Sequence, residues 1–141
     1  MSENNKYILD TSAILTYIED EDGSEFVEEL LIKAEKDEII IFVSFVSLTE
    51  VFYITQREKD ESEANERIKL IQSLAIRIQE SDEDINIRAG KLKAKYAISL
   101  ADTYIASLCQ YHDGILVHKD PEFEKLSSII KEYRLPYKMP Q

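Results

Sequence analysis

The chain has 141 residues, a length typical of one domain with its own buried core. Hydrophobic residues make up 44% of it and charged residues 32%, with only three glycines and three prolines, which excludes a disordered or fibrous protein. The formal net charge of −11 argues against a protein that grips nucleic acid with its whole surface. We therefore expect a single globular domain over residues 1–141.

Short apolar runs alternate with segments of helical periodicity along the chain. The runs have strand length and occupy residues 7–9, 39–43, 76–78 and 115–117. Between them, apolar residues recur at intervals of three and four, as at Phe26, Leu30, Leu31 and Ala34, and again at Ile68, Ile71, Leu74 and Ala75. The acidic stretch at residues 19–22 resembles a solvated turn, and the tail from Arg134 resembles a short edge segment ended by Pro140.

The predicted strands are almost wholly apolar, without polar residues at alternate positions. This pattern is typical of parallel strands that are covered by helices on both faces. The alternation of strands and helices predicts βαβ units. We therefore predict an α/β protein with a three-layer α/β/α architecture and a central parallel sheet of four to five strands.

The cysteine content and the hydropathy bear on the compartment of the protein. A single cysteine, Cys109, cannot form an internal disulfide, which agrees with a reducing cytosol. The first residues lack the basic and apolar regions of a secretory signal. The longest apolar stretch, residues 39–46, is far shorter than the ~20 residues of a membrane-spanning helix. We expect a cytoplasmic protein that does not enter a membrane.

Four acidic residues follow predicted strands or open predicted helices: Asp10, Glu50, Asp102 and Asp120. In an open parallel sheet every strand ends at the same edge, and the helices that follow the strands begin there. We therefore expect the four carboxylates to gather at this edge, which is where such sheets bind ligands.

Each of these acids also fits a role in helix capping. Ser47 and Glu50 have the spacing of a capping box, as do Ser99 and Asp102, and Asp120 stands before a first-turn proline. Taken singly, capping is the simpler interpretation. Gathered carboxylates, however, repel one another by about 4 kcal/mol at ~4 Å and an effective dielectric constant of about 20. Serine or asparagine caps would avoid that cost, and a divalent cation would remove it.

The ligand chemistry of the four acids favours a hard cation. Carboxylate oxygens without a cysteine or histidine cluster select Mg²⁺ or Mn²⁺ over zinc. Mg²⁺ commonly takes one or two protein carboxylates and completes its shell with water and substrate phosphate. Such a metal activates water and stabilises the leaving oxygen, so the predicted chemistry is phosphodiester hydrolysis without a protein nucleophile.

The four acidic segments resemble the motifs of the PIN-domain family. The matching stretches are YILDTSAI, SLTEV, LADTYIAS and LVHKDPEF, and their order and spacing make the resemblance fairly specific. In size and layout the chain is most similar to the toxin ribonucleases of the VapC type. The resemblance implies a PIN fold, a metal-dependent endoribonuclease, a cognate antitoxin protein that occludes the site, and a homodimer.

The resemblance also implies roles for individual residues. Carried over by position, the catalytic and metal-binding carboxylates are Asp10, Glu50, Asp102 and Asp120. Thr11 or Ser12 would hydrogen-bond a metal water or a phosphate. Relatives usually have Thr or Ser two residues before the fourth acid, whereas this chain has His118. This histidine would either donate to a phosphate oxygen or simply end a strand.

Three cations are candidates for holding the RNA backbone. Arg88, Lys91 and Lys95 fall on one side of a predicted helix that leads into the Asp102 segment. This stripe would guide RNA phosphates, although charge runs more often form a solvated helix face. The residues leave both interpretations open.

A PIN scaffold that binds a metal or a partner protein with little catalysis is the alternative function. The net charge of −11 and His118 favour it.

Aromatic and aliphatic residues are dense around Glu50, where a groove for an antitoxin helix would use the same residues as the core. Metal-dependent cleavage of RNA would distinguish the enzyme from the binding module.

Overall fold

The protein is described here by a computed structural model, which covers residues 5–138. The strands are β1 Lys6–Leu9, β2 Ile40–Ser44, β3 Arg77–Gln79, β4 Ile115–His118 and β5 Lys131–Arg134. The helices are α1 Thr11–Ile18, α2 Ser24–Glu35, α3 Phe45–Glu58, α4 Glu61–Ser73, α5 Glu83–Lys95 and α6 Leu100–His112, followed by a 3₁₀ helix at Pro121–Leu126. Within residues 5–138, no helix is long and apolar enough to cross a membrane.

The five strands form one parallel sheet in the order β3-β2-β1-β4-β5. The first strand lies in the middle, where Ile8 pairs with Phe42 of β2 on one side and with Leu116 of β4 on the other. Parallel neighbours require a crossover connection, and the helices between the strands provide it. The predicted three-layer α/β/α fold with a central parallel sheet is confirmed, with five strands.

The sheet separates two hydrophobic clusters. Successive strand residues point to opposite faces, so Ile8 and Leu116 pack beneath α5 and α6, while Leu9 and Val117 pack beneath α1 to α4. Both faces are covered, which explains why the strands have no polar alternation. Cys109 is a free thiol buried in the first cluster.

The connection from α6 to β4 requires a glycine. A Cβ atom at Gly114 would lie 2.6 Å from Ile8 Cδ1 and 3.1 Å from the carbonyl oxygen of Lys6. A side chain at this position would therefore push the start of β4 away from β1. The glycine keeps these two central strands in register, and their carboxyl ends carry the first and fourth acids.

Two sequence predictions need correction. An edge segment was expected from Arg134 onward, but the edge strand β5 spans Lys131–Arg134 and so ends at that residue. Pro140, the expected end of the segment, lies outside the described residues. Its sequence is charged because an edge strand is covered less than a central one. The acidic stretch at residues 19–22 is also more than a solvated turn, since Glu19 pairs with the buried Arg67 at 3.1 Å.

Candidate active site

Asp10 directly follows β1 and is the N-cap of α1. The backbone N–H of Ala13 donates to Asp10 Oδ1 at 2.9 Å. The Ser12 hydroxyl donates to the Asp10 carboxylate and lies 2.7 Å from Oδ1 and 2.9 Å from Oδ2. Asp10 is only 3% exposed, and this burial raises the pKa of its carboxyl to about 7 although the hydrogen bonds act to lower it. The carboxyls of Asp102 and Asp120 raise the pKa of Asp10 further.

Asp102 lies in the first turn of α6, whose N-cap is Ser99. The backbone N–H of Asp102 donates to the Ser99 hydroxyl at 3.1 Å, as the capping-box spacing predicts. Burial raises the pKa of the Asp102 carboxyl to about 7, and the carboxyls of Asp120, Glu50 and Glu122 also raise it. A capping position and a site of charge repulsion therefore coincide at this residue.

Glu50 is held by a hydrogen bond from α1. The Thr11 hydroxyl donates to Glu50 Oε1 at 2.6 Å and lies 3.0 Å from the hydroxyl of the buried Ser47. The predicted capping box of Ser47 and Glu50 is wrong, because the N-cap of α3 is Ser44 and both residues lie inside the helix. Strand β2 extends to Ser44, and a serine at the end of a strand caps the helix that follows directly.

Asp120 lies two residues after β4 and is the N-cap of the 3₁₀ helix, accepting from the backbone N–H of Glu122 at 3.0 Å. Its own backbone N–H donates to His118 Nδ1 at 3.1 Å. The preceding peptide is also fixed, because the backbone N–H of Lys119 donates to the Ser12 hydroxyl at 2.8 Å. Ser12 therefore links the loop after β4 to the carboxylate after β1.

These four residues are hereafter the acid cluster: Asp10, Glu50, Asp102 and Asp120. All four lie at the carboxyl edge of the sheet and are linked by charge repulsion. Asp102 and Asp120 raise the pKa of Asp10, and Asp120 and Glu50 raise the pKa of Asp102. Within residues 5–138, no three His, Cys, Asp or Glu side chains form a group that could hold a metal ion. The donor chemistry still fits Mg²⁺ or Mn²⁺ bound by one or two carboxylates and otherwise by water, whereas it does not fit a cage of three protein ligands.

The predicted basic stripe lies in a different place. Arg88, Lys91 and Lys95 line a groove of about 650 Å³ along α5, and no member of the acid cluster lines it. Arg88 is paired with Asp84 at 2.5 Å and lies over the ring of Tyr111. The structure therefore does not bring this stripe into the acid cluster.

His118 points into the interior of the protein. It has no exposed surface, its Nδ1 accepts from the backbone N–H of Asp120, and its Nε2 lies 2.9 Å from Glu132 Oε1. Both ring nitrogens are therefore engaged, and neither is free to donate to a phosphate oxygen. Thr11 and Ser12 are likewise engaged with Glu50 and Asp10.

Sequence reasoning missed three residues beside the acid cluster. Glu122 adds a fifth carboxyl, and its place two residues after Asp120 was the only signal. Lys119 and Lys138 line a cavity of about 370 Å³ together with Ser12, and both pair with Glu21, at 3.5 and 3.0 Å. The sequence carries no signal for these lysines, because the pairing depends on how the tail packs.

The fold is similar to solved structures of VapBC and VapC proteins. The Rickettsia felis VapBC2 structure, bound to a promoter DNA fragment, is 18% identical with a TM-score of 0.75 over 93% of this chain and 99% of that chain. DNA-bound VapBC from Salmonella typhimurium is 18% identical with a TM-score of 0.72 over 92% and 97%. Mycobacterium tuberculosis VapC20, a sarcin-ricin loop cleaving toxin, is 14% identical with a TM-score of 0.69 over 91% and 98%.

Identities this low show a shared fold. No curated protein sequence matches the chain. The PIN-domain family, in contrast, matches residues 7–129, which is most of the chain and includes all four residues of the acid cluster. The chain therefore belongs to the PIN-domain family.

Proposed function

We propose that this chain is a divalent-metal-dependent endoribonuclease and the toxin of a type II toxin–antitoxin pair. The observation that carries the proposal is the acid cluster, in which burial and neighbouring carboxyls raise the pKa of Asp10 and Asp102 to about 7. Strongly raised pKa values of this kind concentrate at functional sites. A divalent cation would offset both the burial and the repulsion of these charges.

Asp10 and Asp102 would hold the Mg²⁺ or Mn²⁺ ion, with Glu50 and Asp120 beside them. When bound, the ion supplies an activated water and offsets the charge that develops on the leaving oxygen. Because both aspartates retain protons near neutral pH, binding of the metal is coupled to proton release. The expected products carry 5′-phosphate and 3′-hydroxyl ends.

The surrounding residues orient the carboxylates. The hydrogen bonds from Ser12 and Ala13 hold Asp10 in one orientation, and the bond from Thr11 holds Glu50. Preorganised ligands of this kind lose little entropy when an ion binds. Thr11 and Ser12 therefore serve the carboxylates directly instead of contacting the substrate.

The RNA backbone would be held in part by the exposed Lys138, near the acid cluster. Lys119 and Lys138 line the cavity that Ser12 also lines, so they are nearer to the carboxylates than the α5 groove is. The stripe of Arg88, Lys91 and Lys95 would contact more distant phosphates. The Lys119 side chain is 5% exposed and paired with Glu21, so the positive charge that RNA binding requires would come from Lys138 and the stripe.

A cognate antitoxin, a homodimer and a cytoplasmic location complete the proposal. A toxin–antitoxin complex from Klebsiella pneumoniae shares the fold, which supports an antitoxin partner. An apolar surface borders Glu50, where Leu100 is 59% and Tyr53 40% exposed. Exposed apolar residues next to a site are typical of a surface that a partner protein covers.

The test is cleavage of single-stranded RNA by the purified chain with Mg²⁺ or Mn²⁺, compared with the variants Asp10→Asn and Asp102→Asn. Each variant should lose more than about 100-fold in rate, since residues that only orient metal ligands already cost 10–100-fold. Both should keep the fold, because the amide and the acid are nearly isosteric. Equal rates in the wild type and both variants would contradict the proposal and indicate a contaminating nuclease.

A binding module is the second candidate function. The lack of a three-ligand group within residues 5–138 favours it, as does the engagement of both Asp10 oxygens by Ser12. Calorimetry with Mn²⁺ distinguishes the two functions. Neither uptake of the metal nor cleavage across a panel of RNA sequences would identify a protein-binding module, and uptake without any cleavage would identify a metal-binding one.

A further inference from the structure

A buried polar chain leads from the edge strand to the acid cluster. His118 ends β4 with no exposed surface, and its backbone is paired in the sheet with Arg134 of β5. Its Nε2 lies 2.9 Å from Glu132 Oε1, and the same oxygen accepts from Arg134 Nε at 2.8 Å. Side chains two residues apart on a strand share a face, so Glu132 and Arg134 approach the imidazole together.

The hydrogen bonds settle the tautomer of the imidazole. The backbone N–H of Asp120 donates to His118 Nδ1, so Nδ1 carries no proton and Nε2–H donates to Glu132. The Glu132 carboxyl stays charged, because the hydrogen bonds from Arg134 and His118 lower its pKa despite its burial. A charged acceptor on Nε2 therefore keeps the Nδ1 lone pair available for the Asp120 N–H.

The bond to Asp120 has the geometry of a local turn. A side-chain acceptor that bonds the N–H two residues later is the arrangement that serine, threonine and asparagine make in ST and Asx turns. The chain has a histidine at this position, and its Nδ1 takes the place of the hydroxyl. Unlike a hydroxyl, an imidazole needs a partner on its second nitrogen, and Glu132 supplies one.

Only one of the two carboxylate oxygens of Glu132 has hydrogen-bond partners in the described part of the chain. Its side chain is 10% exposed, and its Oε2 is buried without a hydrogen-bond partner in the described part of the chain. A buried orphan oxygen of this kind calls for an explanation.

We propose that His118 and Glu132 are positioning residues, which fix the backbone of Asp120, and through it the fourth carboxylate, from the edge strand β5. The inference rests on the proposed function in that Asp120 is taken as part of the metal site. His118 acts as an acceptor for a main-chain donor and has no contact with RNA. Arg134 acts one step further out, by holding the carboxylate of Glu132.

The test compares His118→Thr with His118→Val, which have side chains of nearly equal size and both remove the imidazole from Glu132 while Arg134 stays as its partner. Only threonine restores an acceptor for the Asp120 N–H, so any difference between the two variants reports that hydrogen bond. Amide hydrogen exchange at Asp120 is measured in the metal-free proteins, and Mn²⁺ affinity by calorimetry. We expect exchange at Asp120 to be slow in the wild type and the threonine variant and fast in the valine variant. Mn²⁺ affinity should fall by about 10–100-fold with valine and recover most of that loss with threonine.

Three outcomes are decisive. Equal exchange at Asp120 in the two variants overturns the positioning role, whatever the metal does. Equal Mn²⁺ affinity in the two variants also overturns it. A wild type that takes up no Mn²⁺ overturns the proposed function instead, so the two failures are distinguishable.

A measurement on the native chain covers the case in which both variants fail to fold. The ¹⁵N chemical shifts of the His118 imidazole should show a protonated Nε2 and an unprotonated Nδ1. A protonated Nδ1 would overturn the proposal without any substitution. Glu132→Gln is the companion variant, and the same tautomer should become less populated in it because the charged acceptor is lost.

Discussion

Two buried charged regions of the molecule follow opposite rules. In the acid cluster, burial raises the pKa of Asp10 and Asp102, and neighbouring carboxyls of the same sign raise it further. In α4, Arg67 is 6% exposed and lies 3.1 Å from Glu19 Oε2 and 3.3 Å from Thr55 Oγ1 of α3. Opposite charges in the second region stabilise the fold, whereas like charges in the first oppose it and favour a cation.

The largest change in the free energy of unfolding should follow removal of the Arg67 charge from its pair with Glu19. Arg67→Met should lower the free energy of unfolding by about 2–4 kcal/mol, below the 3–5 kcal/mol of a fully buried pair because the Glu19 side chain is 28% exposed. Urea denaturation of the metal-free protein measures this change. The control is Lys69→Met on the same helix, whose pair with Glu66 is exposed and should contribute less than about 1 kcal/mol. Equal losses in the two variants would show that burial does not distinguish the pairs.

In the acid cluster, removal of a charge should instead stabilise the metal-free protein. The pKa of Asp10 rises from 3.8 to about 7 on folding, so between these values the native state binds a proton that the unfolded state has lost. Stability of the metal-free protein should therefore fall as the pH rises from about 4 to 7 and level off above that range. Asp10→Asn should stabilise the metal-free protein at pH 8 by on the order of 1–3 kcal/mol, because asparagine caps α1 as well without the buried charge.

Thermal unfolding at pH 5 and pH 8 measures this effect. The variant should show the smaller pH dependence, and Mn²⁺ should raise the melting temperature of the wild type but not of Asp10→Asn. Glu25→Gln, which removes an exposed carboxylate from the first turn of α2, is the control for a general change of charge. Destabilisation of Asp10→Asn at pH 8 would show that Asp10 serves α1 alone.

The smallest effect concerns the stripe outside both regions. Lys91→Gln with Lys95→Gln should weaken binding of RNA by a few fold and reduce the slope of log affinity against log salt by about 1–2, if these lysines contact phosphates. Lys33→Gln with Lys36→Gln, at the end of α2, is the matched control for loss of two exposed charges. Fluorescence anisotropy with RNA in the presence of a chelator measures binding without cleavage. The same loss in both double variants would leave the stripe a solvated helix face.

The central and edge strands differ in how well their sequences predict them. The unbroken apolar runs in β1, β2 and β4 predicted a parallel sheet, because strands covered on both faces have no room for polar residues. The edge strand β5 reads KEYR, and its place in the sheet depends on pairing with β4 and not on its own pattern. Short edge strands are therefore the part of such a sheet that periodicity identifies least well.

Within the site, the order of strands and helices predicted which acids lie at the carboxyl edge. It did not predict the hydrogen bonds that hold these acids and their neighbours. Thr11, Ser47 and Glu132 form them across elements that are distant in the chain. The spacing of Ser47 and Glu50 imitated a capping box, since the same three-residue interval also places two side chains on one helix face. The buried environment of His118 depends on β5 and has no local signal.

The central position of β1 has a consequence for biosynthesis. Strand β1 leaves the ribosome before the other four strands of this sheet, and it pairs with β4, the fourth strand in chain order. A nascent polypeptide cannot complete this sheet until β4 and β5 have emerged, at about 5–20 residues per second. Such long-range pairing is intrinsically slow to form. The carboxylates of Asp10 and Asp120 consequently meet only after β4 has been synthesised, and a translation product terminated before β4 would lack Asp120.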